Sequence, residues 1–252
     1  MNLIPNWLHR LASPPMFYTF AARAQPWLAG ITLLLLGYGL VGGLALAPPD
    51  YQQGEAFRII YVHVPAAWMS LFIYSVMAGA AAVALIWRIK LAECVLTSCA
   101  PIGASFTALA LVSGMLWGKP MWGTYWTWDA RLTSELILLF LYLGVTGLQQ
   151  AIADPRGAAR ACALLAIVGF INVPIVHYSV EWWNTLHQGP TITKFDKPSI
   201  DASMLWPLLS MALGFTTFFV VVLFQRVQNE LLWRERANPW VVGAALAAKG
   251  TP

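Results

Sequence analysis

Three of the four histidines in the chain stand where they could share a task. His63 lies at the start of a long apolar run, in Tyr61-Val62-His63-Val64-Pro65. His187 follows another such run, in Trp182-Trp183-Asn184-Thr185-Leu186-His187. His177 is near the end of that second run, while His9 sits beside Arg10 in a polar tail and is expected to be simply solvated. Neutral imidazole is the commonest metal ligand, through whichever ring nitrogen carries no proton. Between these histidines the stretch Trp117–Glu135 reads WGKPMWGTYWTWDARLTSE. It packs Trp117, Trp122, Trp126, Trp128 and Tyr125 into twelve residues. Gly118, Pro120 and Gly123 are expected to break a regular helix there. An interfacial aromatic belt explains scattered tryptophans. Four so close together, followed by Asp129 and Arg131, better suit a platform for a large flat ligand with a charged edge. Indole faces stack on such a ligand, and an arginine pairs with its carboxylates.

Imidazoles without a neighbouring cysteine or carboxylate triad suit iron or copper as well as zinc. Joined to an aromatic platform they fit haem better than a bare ion, because haem is planar, apolar over most of its face and carries two propionates. Axial histidines hold such an iron from both sides. His63 and His187 are the candidate axial pair. Arg58 and Arg131 are candidates for the propionates, with interfacial snorkelling as the alternative. Asp129 suits the start of the next helix, where a carboxylate favours the dipole. Glu135 follows Arg131 by four residues, the spacing of a helical ion pair. His177 is left as a structural residue.

The elements that must position these groups follow from composition. The chain has 252 residues, 59% apolar and 10% charged, against about 25% charged in an ordinary soluble domain. Too few polar groups are present to cover a soluble fold of this size, so an integral membrane protein is expected. Apolar runs over roughly 27–47, 64–87, 95–117, 132–152, 161–180 and 205–224 are each long enough to cross about 30 Å of hydrocarbon as a helix. The expectation is one all-α domain of six transmembrane helices over residues 1–252, with a tryptophan loop at about 117–135. The first run is too long for a signal peptide and is expected to be retained. Ten basic residues, Arg10, Arg23, Arg88, Lys90, Arg156, Arg160, Arg226, Arg234, Arg236 and Lys249, fall on one side. Five, Arg58, Lys119, Arg131, Lys194 and Lys197, fall on the other. The positive-inside rule then puts both termini in the cytoplasm and the histidine and tryptophan loops outside. A net charge of +4 with no basic cluster gives no nucleic-acid signal. Cys94, Cys99 and Cys162 lack metal spacing and are expected to be packing residues.

The stretch Trp122–Thr133 resembles the WWD signature of haem-handling membrane proteins that serve cytochrome c maturation. Within that group the chain is most similar to the cytochrome c maturation protein C (CcmC), or haem exporter protein C, family. The likeness covers nearly the whole chain: the His63-Val64-Pro65-Ala66-Ala67 segment, the WWD loop, and Ser179–Pro190. Tyr125 stands where many members carry another aromatic. The resemblance implies that His63 and His187 are axial ligands of a non-covalent, transferable haem b, and that Trp122, Gly123, Trp126, Trp128 and Asp129 face it. It further implies a site on the periplasmic side of a bacterial inner membrane. There haem is presented to the chaperone CcmE, beside the small membrane protein CcmD and the transporter subunits CcmA and CcmB. The role implied is delivery by positioning rather than enzymatic catalysis.

Two other functions compete. A small-solute permease with an aromatic gate would carry ionisable residues near its span centres, which are almost free of charge here. A bis-histidine electron-transfer subunit would bury its ligands well below the interface, whereas His63 and His187 lie at run ends.

Overall fold

Inside a bilayer the backbone must satisfy its own polar groups, and every long apolar run of this chain does so as helix. The computed structural model describes residues 13–187 and 200–248. His9, Arg10, Lys194, Lys197 and Lys249 lie outside the described residues. Helix α1 (Pro14–Leu40) continues as a π-helical segment, Val41–Leu46, and a 3-10 turn, Glu55–Ile59, leads into α2 (Ile60–Trp87). Helices α3 (Lys90–Trp122), α4 (Ala130–Ala151), α5 (Pro155–Gly169), α6 (Asn172–Trp182), α7 (Ala202–Arg234) and α8 (Pro239–Ala248) follow. Six spans are long and apolar enough to cross a membrane. Beyond one isolated bridge between Asp50 and Gly54, the described residues contain no strand. The all-α, six-span architecture expected from composition is the one observed.

Three details differ from expectation. The helices outrun the apolar stretches; α7, for example, continues past residue 224 to Arg234. Hydropathy marks only the lipid-buried length, while helical hydrogen bonding continues into the polar boundary. The fifth span is two helices, α5 and α6, joined through Phe170 and Ile171. Pro174 cannot donate to the Phe170 carbonyl and its ring crowds that oxygen, which forces the break. The amide of Asn172 covers it by donating to the Ser134 carbonyl at 2.9 Å. Finally, Gly118 and Pro120 do not break α3, which runs through both to Trp122.

The most extensive helix pairings are α2 on α3 and α1 on α7. Ile73, Tyr74 and Met77 of α2 meet Leu96, Cys99 and Ala100 of α3 and Leu138 and Tyr142 of α4 in one buried core. Small residues let the backbones approach: a methyl on Gly103 would lie 2.1 Å from the Tyr142 ring. Leu33, Leu34, Ile86 and Val168 point outward and exposed, as a lipid-facing surface requires. All three cysteines are buried and free. Because successive spans alternate in direction, the segments 47–54, 123–129 and 183–187 gather at one end of the bundle.

Candidate functional site

The tryptophan loop is shaped by short-range hydrogen bonds. Gly123 ends α3 in the left-handed region (φ 76°) and its N–H caps the Lys119 carbonyl at 3.0 Å, a geometry glycine adopts without steric cost. The Thr124 hydroxyl donates to the Trp126 carbonyl at 3.1 Å. Asp129 then caps α4, its Oδ1 accepting the Leu132 N–H at 2.8 Å. Only 123–129 is irregular, so Trp117 and Trp122 stand on a rigid helix while Trp126 and Trp128 belong to the loop.

His63 lies one turn inside α2 rather than before it. Its Nδ1 is 3.0 Å from the Ala110 carbonyl of α3 and 3.1 Å from the Ser113 hydroxyl. A carbonyl only accepts, so Nδ1 carries the hydrogen, and Nε2 of the neutral ring keeps its lone pair. Trp117 meets the imidazole edge-on at 5.6 Å and is itself fixed by donating Nε1–H to Gln53 Oε1 at 2.9 Å. On the other flank is Gly114: a methyl there would lie 2.9 Å from His63 Cε1.

His187 is held in the same manner from a different part of the chain. Its Nδ1 lies 3.0 Å from Asp129 Oδ2, a side chain only 9% exposed. One carboxylate thus caps α4 with one oxygen and orients an imidazole with the other. Trp122 packs against the His187 ring at 4.8 Å. Burial holds the His187 pKa below the ordinary value; the Asp129 carboxylate opposes this and the Arg131 charge reinforces it.

Both histidines line one cavity of about 260 Å³, larger than the ~150 Å³ that accommodates a benzene ring. From α2 it takes His63, Val64, Ala67, Trp68 and Leu71. With Ile60 at the same helix's start, these residues share one helix face, so the cavity runs about 16 Å along the axis. Trp117, Met121 and Trp122 of α3, Arg131 of α4 and His177 and Glu181 of α6 supply other walls. A greasy slot with an imidazole from each of two elements, aromatic walls and one arginine suits a flat apolar ligand bearing an anionic group. Among the described residues no three His, Cys, Asp or Glu side chains converge to hold a bare ion. The remaining donors to a metal would therefore come from the ligand, as the four nitrogens of a porphyrin do.

Of the nine residues singled out from sequence, His63, His187, Trp122 and Arg131 line this cavity. Asp129 touches it through His187. Gly123, Trp126 and Trp128 lie beside it in the loop, Trp126 and Trp128 edge to face at 5.3 Å and Trp128 77% exposed. Arg58 is not at the cavity: it pairs with Glu55 and donates to the Gly43 carbonyl at 2.9 Å. That carbonyl lies in the π-helical segment. Glu135 makes no ion pair with Arg131 despite the helical spacing. Trp182 stacks on Tyr178 outside the cavity, 5.3 Å and 22° between rings. Sequence reasoning passed over Ala67, Trp68 and Leu71, which helical spacing from His63 would have found. Gln53, Gly114 and Glu181 carried no such signal, while His177, grouped with the other two histidines but set aside as structural, also lines the cavity.

The family model for "Heme exporter protein C" matches residues 7–242. A "Heme exporter protein C" of Haemophilus influenzae is 51% identical over 244 residues, 97% of this chain and 99% of its own length. That of Escherichia coli K12 is 50% identical over 234 residues, 93% and 94% of the two chains. A mitochondrial protein of Marchantia polymorpha, named for cytochrome c biosynthesis, is 44% identical over 214 residues, 85% of this chain and 90% of its own. A match of this extent to both the family model and its members leaves one assignment: the chain belongs to the haem exporter protein C family.

Proposed function

We propose that this protein binds haem b non-covalently at the outer face of a bacterial inner membrane and delivers it to the chaperone CcmE during c-type cytochrome maturation. The observation that carries the reading is the paired state of the two cavity imidazoles. His63 gives its Nδ1–H to the Ala110 carbonyl and His187 gives its own to Asp129, which leaves an Nε2 lone pair on each for iron. Metal-binding histidines are oriented by such bonds, which also raise their basicity. Trp117, Trp122 and Trp68 supply apolar walls, and Arg131 supplies a cation for a propionate. The rim at exposed Trp128, backed by half-buried Trp126, is the face from which the cargo would pass to the chaperone.

The excess of basic residues on the far side, ten against five, supports cytoplasmic termini and a periplasmic site. The protein acts by holding its cargo in reach of the chaperone's nucleophile, which is proximity rather than acid–base chemistry. The names of the relatives, with the family's WWD loop, support action beside CcmD, CcmA and CcmB. The test is the absorption spectrum of the purified protein expressed with ample haem. A Soret band with bis-imidazole character is expected, and it should be lost in both His63→Ala and His187→Ala together with loading of CcmE. Variants that keep the spectrum and load the chaperone would overturn the ligand assignment. A reporter fused within 123–129 should be active only outside the cytoplasm.

A further inference from the structure

Behind the cavity wall lies a carboxylate that the haem reading does not use. Glu135 is 8% exposed, and its Oε1 is buried with no hydrogen-bond partner. An ionisable group in that position within a transmembrane helix is costly to keep, and it marks function when a partner can be named. The nearest cation along the helix is Arg131, one turn earlier on the same face of α4, close enough to feel the carboxylate's field although the two make no direct ion pair. Arg131 lines the cavity. Among the described residues its one hydrogen bond runs from Nη1 to the Val176 carbonyl at 3.3 Å, which leaves its other donors free to meet an anion. Neither other nearby carboxylate can neutralise it equally well. Asp129 is committed to the Leu132 N–H and to His187, while Glu181 is exposed and therefore screened by solvent.

We infer that Glu135 is a positioning residue: without a direct ion pair, the field of its buried carboxylate keeps the Arg131 guanidinium at the cavity wall, and through it makes the cavity select porphyrins that carry a free carboxylate. The inference rests on the haem reading above. Without a counter-charge behind it, a cation on a low-dielectric wall is driven towards the solvent end of the cavity. With Glu135 in place it stays inside and offers its free donors to an anion. Glu135 acts only through Arg131 and does not touch the cargo.

The experiment compares haem with haem dimethyl ester, which keeps the ring and iron but lacks free carboxylates. Dissociation constants are measured for both with wild type, Arg131→Gln, Glu135→Gln and the double variant. The wild type is expected to prefer haem. Each single variant should weaken haem about tenfold and leave the ester unchanged, the scale expected when one member of a buried charged set is neutralised. The double variant should be no worse than Arg131→Gln alone, because the two act as one unit. Equal weakening of both ligands in Glu135→Gln, or an effect that adds to that of Arg131→Gln, overturns the inference. If Glu135→Gln does not fold, Glu135→Asp carries the same test, with a smaller loss expected for haem alone. A wild type that binds neither porphyrin overturns the haem reading and this inference together. A wild type that binds both equally, with Glu135→Gln neutral, overturns this inference alone.

Discussion

At the end of the bundle where α3 begins and α7 finishes, charged side chains are paired with one another. Lys90 donates to Glu235 at 2.6 Å, and Arg234 bridges Glu230 at 2.7 Å and Glu93 at 3.1 Å. Trp240 of α8 closes the set by donating its indole N–H to Glu235. Around the cavity several polar groups are only half-committed. Two imidazoles have one nitrogen bonded and one open, Arg131 has one long hydrogen bond, and Glu135 and the Trp126 indole nitrogen are buried with unpaired atoms. Buried polar atoms are ordinarily satisfied. An end that completes its pairs is a clamp between helices, and an end that leaves them open is built for something that arrives from outside.

The largest effect should come from the imidazoles themselves. On the proposed ligand assignment, removing either ring takes away an axial donor, and haem retention should fall by more than the 10–100-fold typical of a lost supporting bond. Asp129→Ala tests that supporting bond. It should weaken haem by about 10–100-fold by freeing the His187 ring to rotate and change tautomer. It also weakens the cap of α4, at a cost of about 1 kcal/mol. The two consequences can be separated at the other end of the molecule. Asp154 caps α5, accepting the Gly157 N–H at 2.7 Å, and lies away from the cavity. Asp154→Ala should cost about the same stability with no change in the haem spectrum. If Asp129→Ala and Asp154→Ala leave equal haem occupancy, the Asp129–His187 bond is structural and the contrast between the two ends fails.

A smaller effect is expected from Gly114→Ala. The added methyl would lie 2.9 Å from His63 Cε1, closer than packed carbons allow, so the imidazole must shift. The Soret position should move and haem should bind a few-fold more weakly, with helical content unchanged. A spectrum identical to wild type would show that the His63 ring has slack, and that Ala110 and Ser113 do not fix it.

How much of this was legible beforehand depends on the range of the interaction involved. Six spans could be marked because each is a local property of about twenty consecutive residues. His63, His187, Trp122, Asp129 and Arg131 stood out because histidine, clustered tryptophan and charge are rare in this chain. The double task of Asp129 was half visible: its capping role is set by sequence neighbours, while its bond to His187 joins residues 58 apart. The acceptor for His63 is a backbone carbonyl, Ala110, which no residue type announces. Pro120 and Gly118 misled because breaker rules describe isolated helices, whereas α3 is held on several sides by its neighbours. Arg58 looked available only because the π-helical Gly43 carbonyl that occupies it comes from a backbone irregularity.

The smallest effect belongs to the clamp, and it decides whether the two ends are independent. Burial pushes the Glu235 carboxyl up, but hydrogen bonds from Lys90 and Trp240 outweigh it and hold the pKa below the ordinary carboxylate value. A carboxyl lowered in the folded state stabilises the fold above the unfolded value of about 4.3. That contribution is lost as pH falls through the lower folded value. Glu235→Gln should therefore reduce the melting temperature in detergent by about 2–4 °C at pH 7, the scale of ~1 kcal/mol in a protein of this size. The lysine partner is 53% exposed, which keeps the effect at that modest level. The gap between variant and wild type should close on acidification through the lowered folded value, where the native carboxyl becomes neutral. Haem occupancy at pH 7 should not change. A Glu235→Gln protein that folds normally but loses haem would mean that the clamp sets the geometry of the cavity across the membrane. The division into a completed end and an open end would then be wrong, because the pairs at one end would be holding the other open.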